Sequence, residues 1–256
     1  MSKLLEGKTA LILGLANKWS IAYAIGQAMS REGAKLILTY QNERQQKTVQ
    51  DLGAELGAVK ILACDVTSDA EIASLITTLK ADSVTLDAVV HSIAFANKED
   101  LSRPFVETSR AGYLLAQDVS AYSFVAVCNA VAPLMPNGGS IMTLTYLGST
   151  RVCPNYNVMG VAKAALEASM KYLAYDLGPQ NIRVNAISAG PIKTASARGI
   201  KDFTAMHETV AAHSPMKRVT DPAEVGDSAV FLASHLGRGV TGNVLYVDAG
   251  FQIMAM

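Results

Sequence analysis

This chain has no excess of charge. Its 256 residues carry 22 Lys and Arg against 22 Asp and Glu. Such a balance excludes nucleic acid as the main partner, because binding a phosphate backbone needs clustered cations. Cysteine is scarce too. Cys64, Cys128 and Cys153 are odd in number and widely spaced, which excludes a disulfide framework or a thiolate zinc site and reads as reduced thiols. His91, His207, His213 and His235 show no metal-ligand spacing, so no metal is expected. No uninterrupted apolar run reaches the roughly 20 residues that cross a bilayer. The N-terminal MSKLLEGKTALILG lacks a long apolar segment followed by a small-residue cleavage site. The expectation is a cytoplasmic globular protein without a membrane segment.

Half of the residues are hydrophobic, and they come in short runs separated by longer amphipathic stretches. TALILG, KLILTY, KILACDV, DAVVHSIA, SIMTLT, RVNAIS and NVLYVDAG read as strands. Their near-continuous hydrophobicity marks strands buried on both faces, as in a parallel sheet. Residues 20–33, 69–79, 112–132, Asn157–Leu177 and 222–234 read as helices, the first ending at Gly33. Strand–helix alternation predicts one α/β domain over 1–256, a doubly wound parallel sheet of about seven strands with helices on both faces. Residues 193–218 break the rhythm after the sixth strand, and small residues are common there. Such an insertion reads as a lid over a binding site, here 193–215, or as an extra pair of surface helices.

The first strand is followed by GLANKWSIAYAIG, which lacks the G-x-G-x-x-G of a dinucleotide fingerprint. Gly14 alone stands where the tight turn is needed. Ser20 is placed to cap the next helix, with the backbone N–H groups of Ser20, Ile21 and Ala22 facing a pyrophosphate. The second strand ends TYQNER. An NAD site often has a carboxylate there for the ribose hydroxyls; Gln41 holds the place and favours NADH, while Arg44 keeps NADPH open. Asp65, ending the third strand, is placed to accept from an adenine amino group or to cap the following helix.

The stretch YLGSTRVCPNYNVMGVAK carries the chemistry. Seven residues are about two helical turns, so Tyr156 and Lys163 share a face, about 10 Å apart along the axis. Both can touch one extended ligand. Lys163 is the only charge in VMGVAKAAL, and a lysine on a buried face needs a partner. Tyr146 closes the fifth strand at the carboxyl edge, where open α/β sheets bind ligands. Packing tyrosines and a solvated lysine are the plain alternative.

These features together resemble the short-chain dehydrogenase/reductase family. That family usually carries Tyr-x-x-x-Lys; here the residue four before Lys163 is Met159, which has no proton to give, and the hydroxyl stands at Tyr156. The Tyr-x6-Lys spacing is similar to the divergent branch of enoyl-[acyl-carrier-protein] reductases. GLANKWSIA, TYQNE, HSIAFA, LLAQDVSAYSF, LTYLGSTRVCPNYNVMGVAKAALE, DLGPQNIRVNAISAGPIKT and ASARGIKDF carry that likeness over nearly the whole chain.

The resemblance implies NADH-dependent reduction of the trans-2 double bond of an enoyl thioester in fatty acid elongation. A carbonyl reductase or a non-catalytic dinucleotide sensor is the alternative. It implies Tyr156 as donor to a developing enolate, Lys163 on the nicotinamide ribose and Tyr146 in support. It implies cofactor contacts from Gly14, Ser20, Ile21, Gln41, Asp65, Val66, Ile93, Lys163, Ile192, Thr194, Ala195 and Ser196. Ala96, Tyr146, Tyr156, Met159, Ala195, Ile200, Phe203 and Met206 would meet the acyl chain. Partners would be the acyl carrier protein, received near Arg198, Lys201, Lys217 and Arg218, and three further copies in a homotetramer built on 112–132 and the terminal FQIMAM.

Overall fold

The structure, a computed structural model, describes residues 3–194 and 203–255. In chain order its strands and helices are β1 (Thr9–Leu13), α1 (Ile21–Arg31), β2 (Lys35–Tyr40), α2 (Glu43–Leu56), β3 (Lys60–Ala63), α3 (Asp69–Ala81), β4 (Ala88–His91), α4 (Lys98–Ser102), α5 (Arg110–Gln117), α6 (Ser123–Val131), β5 (Gly139–Thr145), α7 (Asn157–Leu177), β6 (Ile182–Ala189), α8 (Phe203–His213), α9 (Pro222–Ala233) and β7 (Val244–Val247). The strands form one seven-stranded sheet in the order β3-β2-β1-β4-β5-β6-β7, and each neighbouring pair is parallel. The doubly wound sheet expected from the alternation is present.

Side chains alternate along each strand and feed two core layers. Leu11, Leu13 and Val89 join Phe124, Leu166 and Met170 on one face. Ala10, Ile12, Ala88 and Val90 join Ile25, Met29, Val225 and Val230 on the other. Helices α1 and α9 approach closely because position 226 is glycine; a Cβ there would lie 2.7 Å from Ala24 O.

Several sequence expectations change. The polar segment after β2, absent from the expected helices, is the amphipathic helix α2, which buries Val49, Leu52, Gly53 and Leu56. Residues 112–132 are not one regular helix. Between α5 and α6, residues Asp118–Tyr122 form a wider π-type turn. These pieces run together, and Arg110–Leu134 is long and apolar enough, by length and composition alone, to cross a membrane. Counting uninterrupted apolar runs misses this, because Gln117 and Asp118 interrupt it. Half of its apolar window is buried inside the protein, as in a core helix. In the 193–215 insertion, α8 occupies its second part, and Val210 is buried.

The chain reverses direction across the sheet after β3, so β1 and β4 are neighbours whose crossovers leave in opposite directions. A crevice opens at their carboxyl ends, where doubly wound folds bind ligands.

Candidate active site

A cavity of about 570 Å³ occupies that crevice. Its floor is made by the residues that leave the strands: Gly14 after β1, Ser92 and Ile93 after β4, Thr145 and Tyr146 at the end of β5, and Gly190 after β6. Gly14 has φ +94°, and a Cβ there would lie 2.1 Å from Ser92 O. The turn is therefore restricted to glycine on two counts, conformation and space. Ser20 then caps α1: its hydroxyl accepts from Tyr23 N at 3.3 Å and donates to Asn17 O at 2.6 Å. Ile21 begins the helix, so the positive end of α1 opens onto the cavity. One detail of the expected phosphate loop fails. The Ser20 N–H already donates to Asn17 O at 3.0 Å, because the loop folds back on itself before the helix.

Gln41, Asp65 and Val66, expected on the adenosine side of a cofactor, are not among the residues that line this cavity. The Gln41 carboxamide donates to Asp65 Oδ2 at 3.1 Å. The other Asp65 oxygen accepts from Thr67 N at 3.0 Å and Thr67 Oγ1 at 2.8 Å. These bonds hold its carboxyl below the ordinary value although burial pushes the other way. Ser68, not Asp65, caps α3, accepting from Glu71 N at 3.2 Å. Val66 is buried in the core. Gln45, one turn further on, lines the cavity beside Asn17; reading α2 as a helix would have pointed to it.

Helix α7 and its entry supply one wall of the cavity. Tyr156 stands at its N-terminal boundary, and Met159 and Lys163 follow on the same cavity wall. The Tyr156 ring meets the Tyr146 ring edge-on, centroids 5.0 Å apart at 68°. Gly148 also lies against the ring; a Cβ there would be 2.4 Å from Tyr156 Cδ1. The ring thus sits in a slot lined by a tyrosine and a glycine. Burial raises the pKa of both tyrosines; Cys153 and Asp248 add to it for Tyr146, and Tyr146, Cys153 and Glu167 add to it for Tyr156. Both are proton donors at neutral pH. The Tyr146 hydroxyl also donates to Met206 Sδ at 3.6 Å, tying α8 to this wall.

Lys163 has the partner its surroundings require. Nζ donates to Leu144 O at 2.7 Å. Burial pushes its pKa down to about 8, and the Glu167 carboxylate one turn away opposes the fall. Glu167 is itself buried and accepts from Thr145 Oγ1 at 2.6 Å. An ammonium has three donors, so two remain for a ligand in the cavity.

The wall opposite is the HSIAFA segment. Ile93 and Ala96 line the cavity with Phe95. The π-type turn holds this segment: buried Ser120 accepts from Phe95 N at 2.9 Å and donates to Phe95 O at 3.1 Å. Ser123, one residue past the turn, lies 2.8 Å from His91 Nε2. His91 is buried, and burial together with the Lys163 charge pushes its pKa down to about 3, so it is neutral. Ile192, Thr194 and Met206 close the far end.

A sequence profile described as Enoyl-(Acyl carrier protein) reductase matches residues 14–252. The chain belongs to the enoyl-[acyl-carrier-protein] reductase family. The reductase is 51% identical over 253 residues to the Bacillus subtilis protein named enoyl-[acyl-carrier-protein] reductase [NADH] FabI, covering 98% of each chain. It is 50% identical over 250 residues to the Staphylococcus aureus protein of the same name marked [NADPH], covering 97% of this chain and 98% of that one. Among solved structures, the Bacillus cereus enoyl-acyl carrier protein reductase with NADP+ and indole naphthyridinone superposes with a TM-score of 0.98 at 51% identity, covering 99% of this chain and 100% of that one.

Some of the expected site residues of the reductase lie outside the described residues: Ala195, Ser196 and Ile200, with Arg198 and Lys201 of the expected basic patch. Phe203 opens α8. Of the other two cations, Arg218 is held by Glu224 in two bonds of 2.8 and 2.6 Å, and Lys217 donates to Ala212 O at 3.0 Å. Arg218 is therefore paired within the protein, to the same Glu224 that closes the capping box at the start of α9. Among the described residues, no cluster of three or more His, Cys, Asp and Glu is placed to hold a metal.

Proposed function

We propose that this reductase reduces the trans-2 double bond of enoyl thioesters carried by acyl carrier protein, in the elongation cycle of fatty acid synthesis, with NADH as donor. The observation that carries this is the common cavity wall of Tyr156 and Lys163, seven residues apart on α7 at the switch point of the sheet. Met159, at the position where the wider family has its tyrosine, is a buried thioether, which argues against the carbonyl-reductase alternative.

The glycine-only turn at Gly14 and the open end of α1 fit a dinucleotide pyrophosphate. Ser20, Ile21, Ile93, Ile192 and Thr194 would hold the rest of the cofactor in the cavity, and Lys163 its nicotinamide ribose. Bound there, the cofactor supplies hydride to the β-carbon. Negative charge then grows on the thioester oxygen. The Tyr156 hydroxyl, kept protonated by its surroundings, donates to that oxygen as the charge develops, a contribution of several kcal/mol in a water-poor site. Tyr146 braces the ring, and the Lys163 charge adds to the field. Met159, Ala96 and Met206 offer apolar contact to the acyl chain.

The preference for NADH rests on the Gln41–Asp65 pair. Gln41 presents a neutral amide, and the ionised Asp65 behind it repels a 2′-phosphate. We further infer a homotetramer, because Leu114 and Tyr122 on the long helix, Tyr172 and Tyr175 on α7 and Ile253 near the C-terminus leave apolar surface exposed.

The test is NADH absorbance with a trans-2-enoyl thioester for wild type and Tyr156→Phe. Turnover by wild type with a large loss of kcat in the variant is expected. No turnover by a folded, NADH-binding wild type would refute the substrate assignment. Faster turnover with NADPH would refute the cofactor preference.

A further inference from the structure

Tyr156 is flanked by two residues with left-handed backbones: Asn155 at φ +65° and Asn157 at φ +39°. Non-glycine residues adopt this region rarely, asparagine more readily than most, and it gathers where a site needs a side chain aimed. Asn157 is also the first residue of α7, where an ordinary helical φ would serve. Something outside the helix holds it in the unusual conformation.

That restraint is visible. The Asn157 Nδ2 group donates to Arg103 O at 2.7 Å and to Leu101 O at 3.2 Å, the carbonyls at the C-terminal end of α4. Helix α4 is a wall of the cavity through Lys98 and Leu101. It is fixed from behind by buried Asp100, which accepts from Ser109 N at 3.1 Å and Asn97 Nδ2 at 3.4 Å. The carboxamide therefore joins the backbone beside Tyr156 to the opposite side of the site. The aim of the Tyr156 hydroxyl is set by what holds the ring and the backbone. Gly148 and Tyr146 hold the ring.

We propose that Asn157 is a positioning residue for Tyr156: its carboxamide ties the left-handed backbone to the end of α4 and so aims the hydroxyl across the cavity. The inference rests on the proposed role of Tyr156 as donor to the enolate.

The experiment is a double-mutant cycle on the full chain. Asn157→Asp keeps the shape and removes the donor; Asn157→Gly keeps access to positive φ and removes the tether. Each is made alone and in the Tyr156→Phe background. kcat is measured with a trans-2-enoyl thioester and NADH affinity by fluorescence. Each single variant is expected to lose about tenfold or more in kcat, the scale of a small misplacement, with NADH affinity within about twofold of wild type. In the Tyr156→Phe background neither should cause further loss, because two changes that act through one group are not additive. Equal losses in both backgrounds would overturn the inference, as would an Asn157→Gly variant as fast as wild type beside an inactive Tyr156→Phe. Full activity of Tyr156→Phe alone would refute the role of the tyrosine itself, and the tether with it.

Discussion

Gly148→Ala is the smallest perturbation that tests the tyrosine slot. The new methyl carbon would lie 2.4 Å from Tyr156 Cδ1 and 2.9 Å from Cε1. Non-bonded carbons rest at about 3.5 Å, so ring and methyl must separate by about 1 Å. Neither side yields easily. The ring is also packed edge-on against Tyr146, centroids 5.0 Å apart. The Gly148 loop is held by Ser149 N to Tyr146 O at 2.9 Å and Thr150 N to Leu147 O at 3.1 Å. It also lies against α7 so closely that a Cβ on Gly160 would be 2.7 Å from Gly148 O. A misplacement of about 1 Å costs on the order of a hundredfold in rate, or about 3 kcal/mol on the barrier. Steady-state NADH oxidation should show that loss in kcat, with NADH affinity unchanged. Gly160→Ala is the companion: its Cβ is 3.6 Å from Tyr156 Cδ1, so it should disturb the loop and stability more than the rate. A Gly148→Ala enzyme within about threefold of wild type would refute the slot as the device that positions the ring.

Three further outcomes are expected. Lys163 must be charged to act and has its pKa pushed down to about 8, so kcat/KM for NADH should fall as pH rises through about 8; Glu167→Gln, which removes the opposing carboxylate, should move that fall to lower pH, and a flat profile in both would refute the role. The same group binds its proton less tightly folded than unfolded, so its contribution to stability should grow from about pH 8 to the ordinary 10.5, measurable by urea midpoints. Arg183→Met removes a guanidinium that donates to Gly237 O at 2.8 Å and Leu232 O at 2.6 Å; orphaning such carbonyls should cost about 2–4 kcal/mol in urea unfolding while leaving kcat unchanged. Arg44→Ala, which removes an exposed cation three residues past Gln41, should lower kcat/KM with NADPH and leave NADH untouched.

The sheet was legible in the sequence because buried parallel strands announce themselves as apolar runs, and β2 matches its run residue for residue. Helix α7 was legible for a similar reason, since a long stretch rich in good helix formers runs between a turn and Gly178. Helix α2 was passed over because its buried residues, Val49, Leu52, Gly53 and Leu56, are spread thinly among polar ones. The pairing of Tyr156 with Lys163 on one wall follows from spacing alone. The packing around the ring does not: Tyr146 is marked by its place at the end of β5, but its contact with the Tyr156 ring, that of Gly148, and the bonds from Asn157 to the end of α4 are tertiary, and no local pattern marks those. Gln41 was correctly placed at the end of β2, but its bond to Asp65 joins the ends of two strands, and strand pairing cannot be read from either segment by itself.

The π-type turn at Asp118–Tyr122 works as a phase correction within one long helix. A regular α-helix advances about 100° per residue, and a π-type turn accommodates one extra residue. Were the same residues wound as a regular α-helix, everything after the turn would rotate by about 100°. Phe124, Val127, Cys128 and Val131, now in the core, would swing away from the sheet, and Ser123 would leave His91. The turn lets one helix grip the HSIAFA segment with Ser120 and still keep its second half in register with the core. A further insertion that the turn could not take up would be felt as a change of facing, whereas the same change in a surface loop would be felt only as a change of length.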